Sequence, residues 1–272
     1  NKREAETMNN HVQPPVQIAE NIWQFNEANE NGPYVDAYLI VGTERALLVD
    51  ALQTVTGLYE EIRKITPKPL SVFITHGHLD HAGVAVEELH QAGVPIYMSH
   101  LDYPLLKEMM DYGHGPDWFL DLTPGMVFDL GGFCFETISL DGHSRGSMAA
   151  LDKERQLLFS GDAIGGGGLI WMQLPCCSPL VRLKESLEAL RQNIRQCPQL
   201  LVYPGHRNQS PVQLTGQYIE DLFFIVQGLL DRSLQGEPSK EPWHGDKLEF
   251  HREAHGVTTY FCYDPERLYD DN

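Results

Sequence analysis

Positions 76–83 read His-Gly-His-Leu-Asp-His-Ala-Gly. The apolar, β-branched run at 70–75 predicts a short buried strand that leads directly into this stretch. A turn at the end of a strand can direct several side chains to one point. Imidazole nitrogens and carboxylate oxygens are donors that suit zinc. We therefore predict a metal-binding turn, and the weaker alternative is a polar loop whose histidines are hydrogen-bonded. The candidate ligands are His76, His78, Asp80 and His81.

Three further residues able to bind a metal follow in the chain, each at the end of a predicted strand and directly after a glycine. They are His143, Asp162 and His206. Taken singly, each is also compatible with an ordinary hydrogen-bonded turn residue. Taken together with the turn at 76–81, they extend the set of candidate ligands along most of the chain.

The ordered pattern His-x-His-x-Asp-His, then His, then Asp, then His resembles the signature of the metallo-β-lactamase-fold superfamily. The resemblance runs from Asp50 to His206. It implies an α/β fold, a four-layer αββα sandwich, with the site at one edge of its two sheets. It also implies that Asp50 buttresses the metal-binding loops, although a turn acceptor is an alternative role for this residue.

The resemblance further implies a site for two metal ions. The implied ligands fall into one group for each ion and one bridge: His76, His78 and His143 for the first, Asp80, His81 and His206 for the second, and Asp162 between them. An aspartate at the bridging position is similar to the glyoxalase II, lactonase and phosphoesterase branches more than to true β-lactamases. We expect two zinc ions, although this set of donors also accepts manganese or iron.

Two divalent ions bridged by a water point to hydrolysis, because bound zinc lowers the pKa of water from about 15.7 to about 7. The bridging hydroxide is the expected nucleophile, and Asp80 is expected to orient it or to pass a proton to the leaving group. The leading expectation is a dinuclear zinc hydrolase of a small-molecule thioester, lactone or other ester. The alternatives are a mononuclear iron oxidoreductase resembling persulfide dioxygenases, a phosphodiesterase of the same fold, and a metal-stabilised binding protein without turnover.

Substrate contacts are expected from loops near the metals and from two arginines. His114 lies in the predicted loop 109–122, and Trp171 lies in the glycine-rich excursion that begins at residue 164. Arg145 and Arg207 each lie within two residues of a predicted ligand and suit a carboxylate or phosphate of the substrate. The alternatives are that the aromatic side chains only pack the loops and that the arginines pair with local acidic residues.

Composition excludes some classes of protein. With 38 Asp and Glu against 20 Lys and Arg, the net charge of −18 disfavours binding to nucleic acids and to anionic membranes. No apolar run is long enough to suggest a membrane span. The 5 cysteines show no Cys-x-x-Cys spacing, which favours a reducing cytoplasm, and the adjacent pair Cys176 and Cys177 is interpreted as two small apolar residues.

The order of predicted elements is β-rich, α/β, β-rich and α/β, which indicates two similar halves, about 17–125 and 126–263, within a single domain 1–272. A long helix is predicted at 212–234, and its broad apolar stripe is typical of core packing. A face this broad is also compatible with a homodimer.

Overall fold

The computed structural model describes residues 10–30, 32–110, 116–165, 168–239 and 247–270. The chain divides into two units, of which the first ends at Cys134 and the second begins at Phe135. This boundary lies somewhat later in the chain than the predicted one near residue 125. That the two halves form a single domain stays a prediction.

The first unit is built around one sheet, in which the strands lie in chain order from β1 to β7. The strands of this sheet are β1 (Val16–Ala19), β2 (Ile22–Asn29), β3 (Gly32–Val41), β4 (Ala46–Val49), β5 (Leu70–Phe73), β6 (Ile96–Met98) and β7 (Leu120–Asp121). The next strand in the chain, β8 (Val127–Asp129), is not part of this sheet. Its helices are α1 (Leu58–Ile65), α2 (Ala85–Gln91) and α3 (Tyr103–Met109). Strands β1 to β4 pair antiparallel, whereas β4 to β7 pair parallel. The parallel part places the carboxyl ends of β4 and β5 at the same edge of the sheet.

The apolar alternation at 17–25 predicts a strand, but these residues belong to two strands, β1 and β2. Asn21 adopts a positive φ of 60°, which asparagine tolerates, and so makes the tight turn between them. The helical spacing of Leu58, Ile62 and Ile65 predicts a helix from residue 54, but the helix begins at Leu58. The backbone N–H groups of Gln53 and Thr54 donate to the buried carboxylate of Glu27, so this segment is held as a loop.

The apolar core of the first unit lies between its sheet and its helices. The buried side chains include Leu39 and Leu48 from the sheet, Ile62 from α1 and Leu89 from α2. Strand β4 is buried along its whole length, as expected of a strand in the parallel part of a sheet. The amide groups of Gly57 and Tyr59 at the start of α1 donate to Glu88 of α2, which ties the two helices together.

The second unit contains two sheets, in which the strand orders are β14-β13-β11-β10-β9 and β12-β17-β16-β15. The strands are β9 (Cys134–Ser139), β10 (Met148–Asp152), β11 (Leu157–Gly161), β12 (Leu169–Met172), β13 (Leu201–Pro204), β14 (Leu214–Thr215), β15 (Glu237–Pro238), β16 (Leu248–Ala254) and β17 (Val257–Tyr263). The helices are α4 (Leu180–Asn193) and α5 (Gly216–Leu230). Leucines of α4 and the apolar face of α5 pack with β10, β11 and β13 in one core, as predicted for the long helix.

Two elements of the second unit differ from the sequence predictions. The excursion predicted at 164–179 contains strand β12, which pairs parallel with the distant β17. Helix α5 is shorter than predicted, because Leu214 and Thr215 pair with β13 and the Thr215 hydroxyl caps the helix by accepting from the amide of Gln217.

Among the residues that the structure describes, none of the helices combines the length and the apolar character needed to cross a bilayer.

Candidate metal centre

The first unit brings four of the predicted ligands together in the turn that follows β5. His76, His78 and His81 are all buried, and the side chain of Asp80 is 16% exposed. Nε2 of His76 lies 3.0 Å from Nδ1 of His78. A donor atom of His81 lies within 4.8 Å of one on His76 and of one on Asp80. Four donor groups of the kind that bind zinc therefore cluster at one end of the sheet.

Asp50, at the end of β4, organises this turn. Its Oδ1 accepts from the backbone N–H of Thr75 at 2.7 Å, and its Oδ2 accepts from the Thr75 hydroxyl at 2.9 Å. The same Oδ2 accepts from Nδ1 of His81 at 2.8 Å. A carboxylate only accepts, so Nδ1 carries the proton and Nε2 of His81 keeps the lone pair that a metal needs. The buttressing contact that the family resemblance implies for Asp50 is thus present in the structure.

Sequence reasoning missed Asp102, which lies at the start of α3. Its buried carboxylate accepts from the backbone N–H of Gly77 at 2.9 Å. A Cβ on Gly77 would lie 2.5 Å from the backbone oxygen of Asp102, so only glycine allows this approach. No pattern in the sequence connects the two residues, because they are 25 positions apart and the contact depends on the tertiary fold.

The second unit brings together the other three predicted ligands, each of which follows a strand of the same sheet. His143 comes after β9, Asp162 after β11 and His206 after β13. Strands β11 and β13 are parallel neighbours, with Gly161 opposite Pro204, so their carboxyl ends lie side by side. Oδ2 of Asp162 lies 3.1 Å from Nε2 of His206 and 3.9 Å from Nε2 of His143. This carboxylate therefore lies between two imidazoles.

His143 is oriented by strand β12, which the sequence analysis did not predict. Its Nδ1 donates to the backbone carbonyl oxygen of Trp171 at 2.8 Å, so Nε2 is left as the donor atom that faces Asp162. The contact with His143 is made by the backbone of Trp171, and the predicted contact of its side chain with substrate stays a prediction. The thiol of Cys177 donates to the same carbonyl at 3.4 Å, and burial raises the pKa of this thiol well above its usual value.

The other residues predicted to contact substrate are Arg145, Arg207 and His114. Arg145 is exposed, two residues after His143. Arg207 is half-buried, and its Nη2 donates to Oε1 of Gln213 at 3.3 Å. Burial raises the pKa of Tyr203, and the nearby positive charge of Arg207 partly opposes that rise. His114 lies outside the described residues, so its predicted role stays a prediction.

The chemistry of these two groups of side chains fits a divalent metal ion. In His81 and His143, Nδ1 donates a hydrogen bond to an oxygen atom, so Nε2 carries the lone pair that can bind a metal. Each unit adds one partly exposed carboxylate, Asp80 in the first and Asp162 in the second. Neutral imidazole and carboxylate together are the usual ligands of zinc and related metals in hydrolytic sites.

Comparisons with known proteins agree with this chemistry. The family model described as the metallo-beta-lactamase superfamily matches residues 31–206, which is more than half of the chain. The chain is 27% identical over 219 residues to the acyl-coenzyme A thioesterase MBLAC2 of Gallus gallus, covering 68% of this chain and 77% of that protein. It is 29% identical over 138 residues to the hydroxyacylglutathione hydrolase GloC of Haemophilus influenzae, covering 46% of this chain and 64% of that one.

A solved structure supports the fold. The metallo-beta-lactamase FIM-1 from Pseudomonas aeruginosa, in its mono-zinc form, superimposes with a TM-score of 0.63 at 18% identity, covering 83% of this chain and 97% of that one. At this identity the likeness supports the fold alone. The family match, which includes every predicted ligand from His76 to His206, shows that the chain belongs to the metallo-beta-lactamase superfamily and is a metal-dependent hydrolase.

Proposed function

We propose that this protein is a dinuclear zinc hydrolase that cleaves the thioester of a small molecule. The observation that carries the proposal is the pair of candidate ligand clusters, one in each unit. In each cluster one histidine, His81 or His143, donates a hydrogen bond through Nδ1, which leaves Nε2 as the atom that can bind a metal. Thioesters are favoured over other esters because one similar protein is named an acyl-coenzyme A thioesterase and another a hydroxyacylglutathione hydrolase.

In this proposal the two groups of ligands form one centre. The proposed ligands of the first ion are His76, His78 and His143, those of the second are Asp80, His81 and His206, and Asp162 bridges the two ions. The position of Asp162 between His143 and His206 supports its bridging role. The clustering of the four donors after β5 supports the remainder of the assignment.

Divalent ions bound here would polarise the carbonyl oxygen of the thioester and lower the pKa of a bound water towards about 7. The protein's own residues then position the reactants. Asp80, which is partly exposed, is placed to accept a proton and to pass it to the leaving thiolate. Asp50 and the Trp171 carbonyl hold His81 and His143 in fixed orientations, so the ligands need little rearrangement during the reaction.

The test combines metal analysis with a panel of substrates. We expect about two zinc ions per chain, and thiol release from an acyl-coenzyme A or a hydroxyacylglutathione that stops on chelation and returns with zinc. The Asp162→Ala variant should lose most of this activity and at least one ion. Asp152→Asn is the matched control, because Asp152 is a buried carboxylate of the same unit that accepts from the amide of Arg155 and is not among the proposed ligands.

Several results would contradict the proposal. One iron per chain, with oxygen uptake on glutathione persulfide, would instead support the oxidoreductase alternative. Cleavage of phosphodiesters alone would support a phosphodiesterase of the same fold. No metal-dependent cleavage of any compound in the panel would leave a metal-stabilised binding protein.

The exposed Arg145 is our proposed contact for an anionic part of the substrate, such as the phosphates of coenzyme A. The Arg145→Ala variant should raise KM about 3–10-fold and leave kcat nearly unchanged, because a contact made equally in ground and transition states affects binding alone. Arg155→Ala removes another exposed arginine of the same unit and serves as the control. If the two variants have equal KM values, Arg145 does not contact the substrate.

A further inference from the structure

The hairpin formed by β2 and β3 contains an irregularity next to the ligand turn of the first unit. Glu27 lies opposite Val35, but the next residue, Ala28, lies opposite Pro33. Tyr34 is therefore an extra residue in the register of β3, and this shift in the register marks a β-bulge. Bulges bend a strand and redirect a side chain, and they often occur beside active sites.

The redirected side chain reaches one of the proposed metal ligands. The hydroxyl of Tyr34 donates to Oδ2 of Asp80 at 2.9 Å. The other oxygen of the same carboxylate, Oδ1, lies 3.9 Å from Nε2 of His81. The two oxygens of Asp80 therefore have different neighbours, a phenol on one side and a ligand imidazole on the other.

Glu27, which lies beside the bulge on the opposing strand, connects the hairpin to the loop at 51–54. Its carboxylate is buried and accepts from the backbone N–H groups of Gln53 and Thr54 at 2.7 and 3.0 Å. The loop at 51–54 is itself bonded to the ligand turn, since Ala51 donates to the carbonyl of His81 and Gly83 donates to that of Leu52. The hairpin and the turn that carries Asp80 are thus held by one connected set of hydrogen bonds.

We propose that Tyr34 is a positioning residue for Asp80. By donating to Oδ2 it restricts rotation of the carboxylate, so that Oδ1 keeps facing the position where His81 presents Nε2. Charge-assisted hydrogen bonds of this kind are strong and directional, and partners that orient a metal ligand commonly affect metal affinity or activity 10–100-fold. The inference rests on the proposed function only in taking Asp80 as a metal ligand.

The test is the Tyr34→Phe variant, which removes one oxygen atom and keeps the ring. Zinc affinity is measured by competition with a chromophoric chelator, and the absorption spectrum of the cobalt-substituted protein reports the geometry of the ligands. We expect a 10–100-fold loss of affinity for one of the two ions, a changed cobalt spectrum, and a fall in kcat on thioesters with KM within about twofold of the wild type.

Tyr59→Phe is the matched control. Tyr59 is another half-buried tyrosine of the first unit, and its ring lies under the guanidinium of Arg63, 4.8 Å from the ring centroid. This variant should keep the metal affinity and cobalt spectrum of the wild type. The unfolding temperature of both variants is measured, so that a general loss of stability is separated from a change at the ligands.

The inference is overturned if Tyr34→Phe binds zinc and cobalt as the wild type does. The metal measurements do not depend on turnover, so they separate the two proposals. Weakened metal binding in Tyr34→Phe, in a protein that cleaves no thioester, would retain Tyr34 as a positioning residue while rejecting the proposed function. If the protein cleaves thioesters but Tyr34→Phe does not change metal binding, the proposed function is retained and Tyr34 is rejected as a positioning residue.

Discussion

Asp50 shows how much of a site can depend on one buried side chain. Its two oxygens accept from three donors, two on Thr75 and one on His81. These hydrogen bonds hold Thr75, at the start of the turn that carries the candidate ligands, and they keep the proton of the His81 imidazole on Nδ1. The same carboxylate therefore determines both the backbone conformation at Thr75 and the orientation of the His81 ring.

The Asp50→Asn variant should lower zinc affinity about 10–100-fold, because an amide accepts through one oxygen only. In either orientation its NH2 group would face donors that the carboxylate accepts from, either the Thr75 N–H or the Thr75 hydroxyl and Nδ1 of His81. Metal content after dialysis and chelator competition measure the effect. Asp36→Asn is the control, since Asp36 is a buried carboxylate of the same unit that accepts from Gln24 and Asn26. Unchanged zinc affinity in Asp50→Asn would show that His81 is oriented without this contact.

Cys177 and Cys134 offer a prediction about reactivity. Burial, reinforced by the neighbouring Cys176, raises the pKa of the Cys177 thiol well above its usual value, whereas Cys134 is exposed. Only the thiolate is alkylated, so iodoacetamide at pH 8 should label Cys134 in the folded protein and Cys177 only after unfolding. Mass spectrometry of the digested protein measures both sites. Labelling of Cys177 as fast as Cys134 would contradict the burial that the structure gives it.

At the level of elements, the candidate ligands follow the ends of strands, and this determines what the sequence can predict. The turn at 76–81 was found because its donors are consecutive and directly follow a strand. Strand β12 was missed, because Gly165–Gly168 obscures its start and its partner β17 lies far along the chain. Tyr34 is 46 positions from Asp80, so neither periodicity nor spacing connects the two. Local patterns therefore predict the candidate ligands, whereas the residues that hydrogen-bond to them are brought there by tertiary contacts.

The Gly77→Ala variant tests the close packing between the ligand turn and the chain before α3. The added Cβ would lie 2.5 Å from the backbone oxygen of Asp102, so the turn must shift. We expect the unfolding free energy to fall by about 1–3 kcal/mol and zinc to bind more weakly. Gly93→Ala is the control, because a Cβ there meets no described atom within 4 Å and only its φ of 72° is strained. Its cost should be about 1–2 kcal/mol without any effect on zinc. Equal zinc affinity in both variants would contradict the packing argument.

For the molecule as a whole, the proposed centre predicts that metal binding and stability are coupled. The candidate ligands are mostly buried, and an ion that binds only the folded chain adds about 2.7 kcal/mol at a free concentration 100 times its Kd. For a chain of this size, each kcal/mol corresponds to a shift of about 2–4 °C in Tm. Removing the metal with a chelator should therefore lower Tm by about 5–10 °C, and added zinc should restore it. Calorimetry or circular dichroism measures the shift, and Asp162→Ala should respond less than the wild type. A Tm that is the same with and without chelator would mean that the folded chain gains no stability from a metal at these residues.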